Sequence, residues 1–463
     1  MAASQAAYKA EQAIGHDSNA ATAQDVTNPA NEGGKFGETG ETMKALAWMG
    51  KGKVQVITAP KPKILEPTDV IIRVTGSTVC GSDLHLLHGA VLELSKGDIL
   101  GHEFMGEVDS VGSSVTNLAP GDRAVASFQI ACGQCAMCAA KLSSQCTRTN
   151  ASTLEKALYG GRTAGMFGYS HLTGGFAGGQ AEYVRVPFGA VNLLKVPRGV
   201  PDEKALYLSD VLATSWHCVV DTGVRKGSGV AIWGAGPIGE MCVQFSRLLG
   251  AGKVVVIDQN WRLDSIKEKY PGVETIDFSK LPRGTSVVQK LKEMFPGGEL
   301  VTGELGDAEG AGPGPDVALE CVAGEYPKGW AHYFEMMLGM ETDSSEIVNE
   351  MIESVRSFGR CGITGVYVGY TNHFNIGSLM ERGVRLIGNG QAPVQLYWEK
   401  LLKMVQSGEI DPLKMVSHRV RLEDLETVYD KFEHRADGMQ KVFVETRFSD
   451  PPCPGAPQLT KFE

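Results

Sequence analysis

The stretch "SGVAIWGAGPIGEMCVQFSRLLGAGKVVVID", residues 228–258, restricts the fold more than any other part of the chain. It reads as a buried apolar strand, a glycine turn, an amphipathic helix that ends at a glycine, and a second apolar strand. Gly234, Gly236 and Gly239 stand as G-x-G-x-x-G at the first junction. There they permit a tight turn, backbone approach to a pyrophosphate and close helix packing, while the helix N-terminus favours negative charge. A plain glycine-rich turn is the competing reading. Two features favour dinucleotide binding: the placement between strand and helix, and Asp258, which closes the second strand 19 residues after Gly239. An acid there accepts hydrogen bonds from ribose hydroxyls and repels a 2′-phosphate, which favours NAD over NADP. Arg262 nearby keeps NADP open. Ile238, inside the same turn, is counted with the glycines as a coenzyme contact.

This βαβ rhythm continues at "PDVALECVA", "RCGITGVYVG" and "VRLIGNG", so a parallel sheet with right-handed crossovers is expected. Upstream the style differs. From Met43 short strand-like segments such as "KALAWMG", "KVQVIT", "DVIIRVTGSTVC" and "DRAVASF" alternate with turn residues, as in a compact all-β unit. Helical patterning begins near residue 203 with "DEKALYLSDVLATSWHCVV". The length of 463 residues fits two domains. Residues 1–42 offer almost no large apolar side chain and are expected to be disordered; 448–463 are Pro-rich and expected to be loose. "GGELVTGELGDAEGAGPGP" and "GMETDSSE" read as surface loops.

A net charge of -10 with no Lys/Arg-rich block speaks against a nucleic-acid or anionic-membrane partner and leaves a small molecule as the default ligand. No apolar run approaches the roughly 20 residues that span a bilayer, and no secretory or Arg-rich presequence pattern opens the chain. A cytoplasmic protein is expected.

Cys132, Cys135, Cys138 and Cys146 follow C-x2-C-x2-C-x7-C. One loop with that spacing can wrap four thiolates around a tetrahedral zinc, a closed and therefore structural shell. A disulfide pair and a redox C-x-x-C compete; a cytosolic setting disfavours the first, and the second leaves two cysteines unexplained. A catalytic zinc needs an open shell. "TVCGSDLH" supplies Cys80, Ser82, Asp83 and His85, and "LGHEFMG" supplies His102 and Glu103. Singly, each reads as packing or surface.

Together, "VCGSDLH", "GHEFMG", the four-cysteine loop, "GGQAEYVRVP" and "GAGPIG", in this order, resemble the zinc-containing medium-chain alcohol dehydrogenase family over about residues 43–447. The resemblance implies an α/β chain: a GroES-like β-barrel catalytic domain (43–211), a Rossmann doubly wound parallel-sheet coenzyme domain (212–392), and a return of 393–447 to the catalytic domain. It implies two zinc ions per subunit and NAD. Cys80 and His102 become ligands of the catalytic zinc, and Glu103 its neighbouring carboxylate. Ser82 would take the substrate proton and His85 carry it on; Asp83 would orient His102.

Where many members have a third cysteine ligand, this chain reads "LSDVLATSWHC", which puts Asp210 at the zinc and Thr214 at the nicotinamide. An aspartate there matches the glutathione-independent formaldehyde dehydrogenase and dismutase branch. The alternative is that Asp210 only caps a helix. Gly81 stands where some relatives place a cation for the pyrophosphate, and Lys441 is a weak substitute. His217 and Cys218 read as helix packing, Cys321 and Cys361 as core, and His171 as a loop residue in an insert, 148–179, that could border the pocket.

The implied function is hydride transfer between a small alcohol, or a hydrated aldehyde, and NAD, with a homodimer or homotetramer as the assembly. A polyol or specialised-metabolite zinc dehydrogenase would share every motif. A non-catalytic NAD-sensing or scaffold protein is the reading from another class, and a retained proton relay argues against it.

Overall fold

The computed structural model describes residues 40–297, 312–322, 343–367, 369–434 and 436–462. The expected N-terminal extension therefore lies outside the described residues up to 39, as do 298–311 and 339–342 of the two expected loops. The chain divides into two compact units, Met1–Ala213 with Pro393–Glu463, and Thr214–Ala392.

In the first unit β1 (Thr42–Gly50) and β2 (Lys53–Pro60) form an antiparallel hairpin. β3 (Val70–Ser77) runs into the short helix α1 (Gly81–Leu87). Then come β4 (Phe104–Val111), β5 (Arg123–Ala126), the short β6 (Gln129–Ile130), helix α2 (Thr153–Tyr159), the short β7 (Gly165–Met166), β8 (Tyr183–Val186) and β9 (Leu193–Lys195). β3 is the hub, antiparallel to both β4 and β8. Its pairing with β4 slips register twice, between Ile71 and Ile72 and between Val74 and Gly76, and such bulges bend and twist a sheet. The core beneath is aliphatic and aromatic: Val70, Ile72, Val74, Phe104, Val108, Ile130, Phe167, Phe176 and Val184.

The helical patterning of residues 202–220 is realised in pieces. A first turn (Asp202–Ala205) and a 3₁₀ turn (Leu206–Leu208) end at Ser209, and a new helix, α3 (Val211–Asp221), starts after Asp210. The Ser209 carbonyl accepts from the Phe128 amide, and Asp210 turns its carboxylate towards His102 at 3.4 Å.

The second unit begins within α3. β10 (Gly229–Trp233), α4 (Pro237–Leu248), β11 (Lys253–Asp258), α5 (Trp261–Lys269), β12 (Glu274–Asp277), α6 (Val287–Met294), β13 (Val317–Glu320), α7 (Glu346–Ser354), β14 (Arg360–Ile363), α8 (Ile376–Glu381) and β15 (Arg385–Gly388) follow. All six strands are parallel, in the order β12-β11-β10-β13-β14-β15. Numbered within the unit this is 3-2-1-4-5-6, the doubly wound order, with its reversal between β10 and β13. β10 is buried at all five positions, as a central strand covered on both faces must be.

The chain then returns to the first unit. α9 (Val394–Ser407), β16 (Val416–Arg421), α10 (Leu425–Glu433) and β17 (Lys441–Glu445) extend the first sheet to β16-β17-β3-β4-β5-β9. The closing segment, expected to be loose, is tied down instead. Leu459 bridges Arg419, the Thr460 amide donates to the Arg419 carbonyl, and Phe462 packs on the core under α10.

Arg419 fastens this return. Its guanidinium, 2 % exposed, donates to Glu203 at 2.6 Å and to Glu445 at 2.6 Å, with its face on Phe443. Removing one partner of a buried pair leaves the other charge unpaired at a cost of about 3–5 kcal/mol. Arg419→Ala should therefore lower unfolding stability by about that amount in denaturant titration; a loss within experimental error would show that the return is held by packing alone.

Candidate active site and metal centres

Three stretches far apart in sequence deliver the four donor residues of one site in the first unit. Cys80 caps α1, His102 and Glu103 immediately precede β4, and Asp210 stands at the break before α3. One donor atom from each of the four lies within 4.8 Å of the others. His102 and Glu103 are buried, while Cys80 and Asp210 are half-buried.

The His102 ring sits between carboxylates. Nδ1 faces Asp83 Oδ1 at 3.5 Å, and Nε2 faces Asp210 at 3.4 Å and Glu103 at 3.7 Å. Neither nitrogen, nor Glu103 Oε2, makes a hydrogen bond of good geometry, although all three are buried. Buried polar atoms rarely go unpartnered, and their place beside the donor atoms of Cys80 and Asp210 suits a cation. Burial by itself lowers the basicity of His102, but the oxygens of Tyr169, Asp210 and Asp83 and the Cys80 sulfur reverse the effect and hold it well above its ordinary value. The surroundings thus favour positive charge. Sulfur, imidazole nitrogen and carboxylate oxygen are the donors zinc accepts, and three such ligands leave a coordination position open.

Asp83 is fixed from the other side. Its Oδ2 accepts from the Cys80 amide at 2.9 Å and from Gln180 Nε2 at 3.3 Å, and Gln180 Oε1 accepts from the Tyr429 hydroxyl at 2.9 Å. Gln180 belongs to the "GGQAEYVRVP" motif and Tyr429 to α10, and neither is identifiable from spacing. Glu103 Oε1 is held at 2.5 Å by Lys441 Nζ, and both side chains are about 1 % exposed or less. Burial works against the ammonium, but Glu103, Cys80 and Asp210 raise Lys441 above its usual value, so it stays charged. Lys441 is therefore committed to this site and is not a free phosphate contact.

The expected proton-carrying groups lie along α1. Ser82 and His85 are both buried, and a hydrogen bond links the Ser82 hydroxyl to that of Tyr169. Tyr169 also stands edge-on to His102, ring centres 5.1 Å apart, with Phe128 on another side at 6.2 Å. Burial pushes the Tyr169 phenol up, so it remains protonated and can donate. It comes from the 148–179 insert, whose other singled-out residue, His171, pairs with Asp98 at 3.2 Å.

The four-cysteine loop forms a separate cluster in the same unit. All four thiols are free of disulfides. Sulfur separations are 4.0 Å for Cys132 to Cys138 and 3.9 Å for Cys135 to Cys146, and backbone amides of Cys132 and Cys135 point at Cys146 and Cys132 sulfurs. The Cys138 thiol, together with the amides of Arg148 and Cys132 and the Thr149 hydroxyl, draws Cys146 down to about 4 against the effect of its burial. Four such donors close a tetrahedral shell without room for substrate.

In the second unit each glycine of the triplet shows a distinct role. Gly234 has φ +100°, a left-handed backbone. A Cβ on Gly239 would lie 1.9 Å from the Gly234 carbonyl oxygen, whereas one on Gly236 would meet nothing within 4 Å. Gly236 also caps α4, with Pro237 as its first residue. Asp258 accepts from the amides of Ala235 and Gln259, which places its carboxylate beside the turn. The Ile238 carbonyl accepts from Ser215, and Thr214 is half-buried in α3 one residue before.

Residues 66–198 match the family described as the alcohol dehydrogenase GroES-like domain. A zinc-type alcohol dehydrogenase-like protein of Schizosaccharomyces pombe is 37% identical over 88% of this chain and 92% of its own. The chain belongs to the zinc-containing alcohol dehydrogenase family. A glutathione-independent formaldehyde dehydrogenase of Pseudomonas aeruginosa is 32% identical over 87% of this chain and 96% of its own. The solved alcohol dehydrogenase TADH from Thermus sp. ATN1 superposes with a TM-score of 0.70 at 30% identity, covering 88% of this chain and 100% of that one. A zinc alcohol dehydrogenase of this kind has a β-rich unit and a doubly wound unit, and zinc and a nicotinamide dinucleotide are its cofactors.

The glycine geometry predicts different outcomes for two conservative changes. Gly239→Ala drives a methyl group into the Gly234 carbonyl and should lower the thermal midpoint by several degrees, while Gly236→Ala should leave it within error. Equal midpoints in the two variants would contradict the packing role of Gly239.

Proposed function

We propose that this chain oxidises a small alcohol, or a hydrated aldehyde, with NAD as hydride acceptor, at the cluster of Cys80, His102 and Asp210. The observation that carries this reading is the convergence of a thiol, an imidazole and a carboxylate within 4.8 Å, beside buried nitrogen and oxygen atoms that lack good hydrogen bonds. Cys80, His102 and Asp210 would hold the catalytic zinc, and Cys132, Cys135, Cys138 and Cys146 the structural one. Bound at the open site, zinc supplies a Lewis acid for the substrate oxygen, and NAD supplies the hydride acceptor.

The remaining work falls to side chains. Ser82 accepts the proton from the substrate hydroxyl, and Tyr169, hydrogen-bonded to Ser82, stabilises the receiving oxygen. His85, buried on the same helix, passes the proton onward. Asp83 fixes which nitrogen of His102 faces the metal, and Lys441 keeps Glu103 from contributing an unbalanced charge. Gly234, Gly236, Ile238 and Gly239 would take the pyrophosphate end of the coenzyme, Thr214 the nicotinamide, and Asp258 the ribose hydroxyls, which favours NAD over NADP.

An aldehyde-oxidising role is supported by the relative from Pseudomonas aeruginosa that carries the name of a formaldehyde dehydrogenase. A homodimer or homotetramer fits the exposed apolar side chains of Phe358, Tyr370, Ile376 and Met380 near β14 and β15. No helix among the described residues is long and apolar enough to cross a membrane, which fits a cytoplasmic enzyme.

Metal analysis of the purified protein should give two zinc ions per chain, and Cys80→Ala should give one. Asp210→Ala should keep the far-ultraviolet spectrum and lower kcat more than about 100-fold, beyond what loss of a residue that merely supports a ligand costs. An undiminished zinc count in Cys80→Ala, or retained turnover in Asp210→Ala, would refute the assignment. For the coenzyme, Asp258→Gly should weaken NAD far more than NADP, and equal losses would remove the ribose role.

A further inference from the structure

Three cysteines that neither the hydride-transfer site nor the four-cysteine loop uses meet inside the second unit. Cys218 lies on α3, Cys242 on α4, and Cys321 directly after β13. They are 24 and 79 residues apart in sequence, so no spacing announces them. Read singly, Cys218 is helix packing and Cys321 core. In the fold their three sulfur atoms all lie within 4.8 Å of one another. The Cys321 and Cys242 sulfurs are 3.8 Å apart, and the Cys218 thiol hydrogen-bonds with both.

The 3.8 Å between Cys321 and Cys242 is close to the separations in the four-cysteine loop of this same chain, 3.9 and 4.0 Å. Sulfurs that share one ion at a metal–sulfur distance of about 2.3 Å must sit about 3.8–4.0 Å apart, whether the ion is tetrahedral or trigonal. A disulfide would need two of them to close to about 2.05 Å and would leave the third without a role. Oxygen groups complete the surroundings: the Thr364 hydroxyl lies against Cys218, and the Ser215 carbonyl lies 3.7 Å from the Cys242 sulfur. Cys218 and Cys242 are buried, while Cys321 is half-buried. Donors made up almost wholly of thiolate select soft ions over hard ones.

We propose that Cys218, Cys242 and Cys321 form a trithiolate site for one soft, thiophilic d¹⁰ cation such as Cd²⁺ or Cu⁺, separate from both zinc sites. Binding exchanges three thiol protons for the metal and changes no oxidation state. The Cys321 carbonyl is 2.9 Å from where a Cβ on Gly234 would stand, so the ion would sit behind the first glycine of the coenzyme turn.

The test uses the zinc-loaded full chain and Cd²⁺ alone as probe, in citrate to suppress binding at surface carboxylates. Cadmium bound and zinc released are counted together, since Cd²⁺ also exchanges into zinc sites. Cadmium bound in excess of zinc released should be one per chain in the wild type, with a thiolate-to-metal band in the near ultraviolet. The excess should vanish and the band weaken in Cys242→Ser and in Cys321→Ser; should the buried Cys242 variant fail to fold, the half-buried Cys321 variant carries the test. No excess in the wild type, or an excess that persists in either folded variant, overturns the proposal.

Discussion

A buried imidazole ringed by anions is the constraint on which the rest of the first unit depends. His102 faces Asp83, Asp210 and Glu103 at 3.4–3.7 Å, with the Cys80 sulfur beside it. Like charges this close repel in a medium that screens poorly, and the arrangement is favourable only with positive charge among them. Lys441 supplies one such charge, to Glu103. The divalent ion proposed at Cys80, His102 and Asp210 would supply the rest.

The architecture follows from delivering those groups. The helix break at Ser209–Asp210 gives up helical hydrogen bonds to turn one carboxylate inward. The return of the chain brings Lys441 to Glu103 and Tyr429 to Gln180, and the buried pairing of Arg419 with Glu203 fastens that return. On the proposed reading the two clusters would divide the labour by shell: four thiols from one loop would leave no open position, whereas three donors from distant segments would leave one for substrate.

What could be read from sequence was whatever is local. The glycine triplet and Asp258 occupy one strand-turn-helix-strand passage, so their spacing implies their geometry, and the collision distance at Gly239 agrees with the role assigned to it. The four-cysteine loop was readable for the same reason. Cys80, His102 and Asp210 were not, since nothing in their separation says that they meet; only resemblance joined them. Tyr169, Gln180 and Tyr429 escaped notice because a hydroxyl or amide has no signature until its partner is known. The interruption of the helical patterning at Asp210 is not marked by helical propensity alone. Cys218 and Cys321 read singly as packing and core and Cys242 carries no signal of its own, and the chemistry of the three exists only as a group.

The central claim is that a second zinc sits among Cys80, His102 and Asp210 and is distinct from the ion of the four-cysteine loop. Anomalous diffraction from crystals of the purified protein, recorded on both sides of the zinc absorption edge, measures this directly. Two zinc peaks per chain are predicted, one enclosed by Cys132, Cys135, Cys138 and Cys146 and one in contact with Cys80, His102 and Asp210. A single peak, or a second peak bound elsewhere, would contradict it.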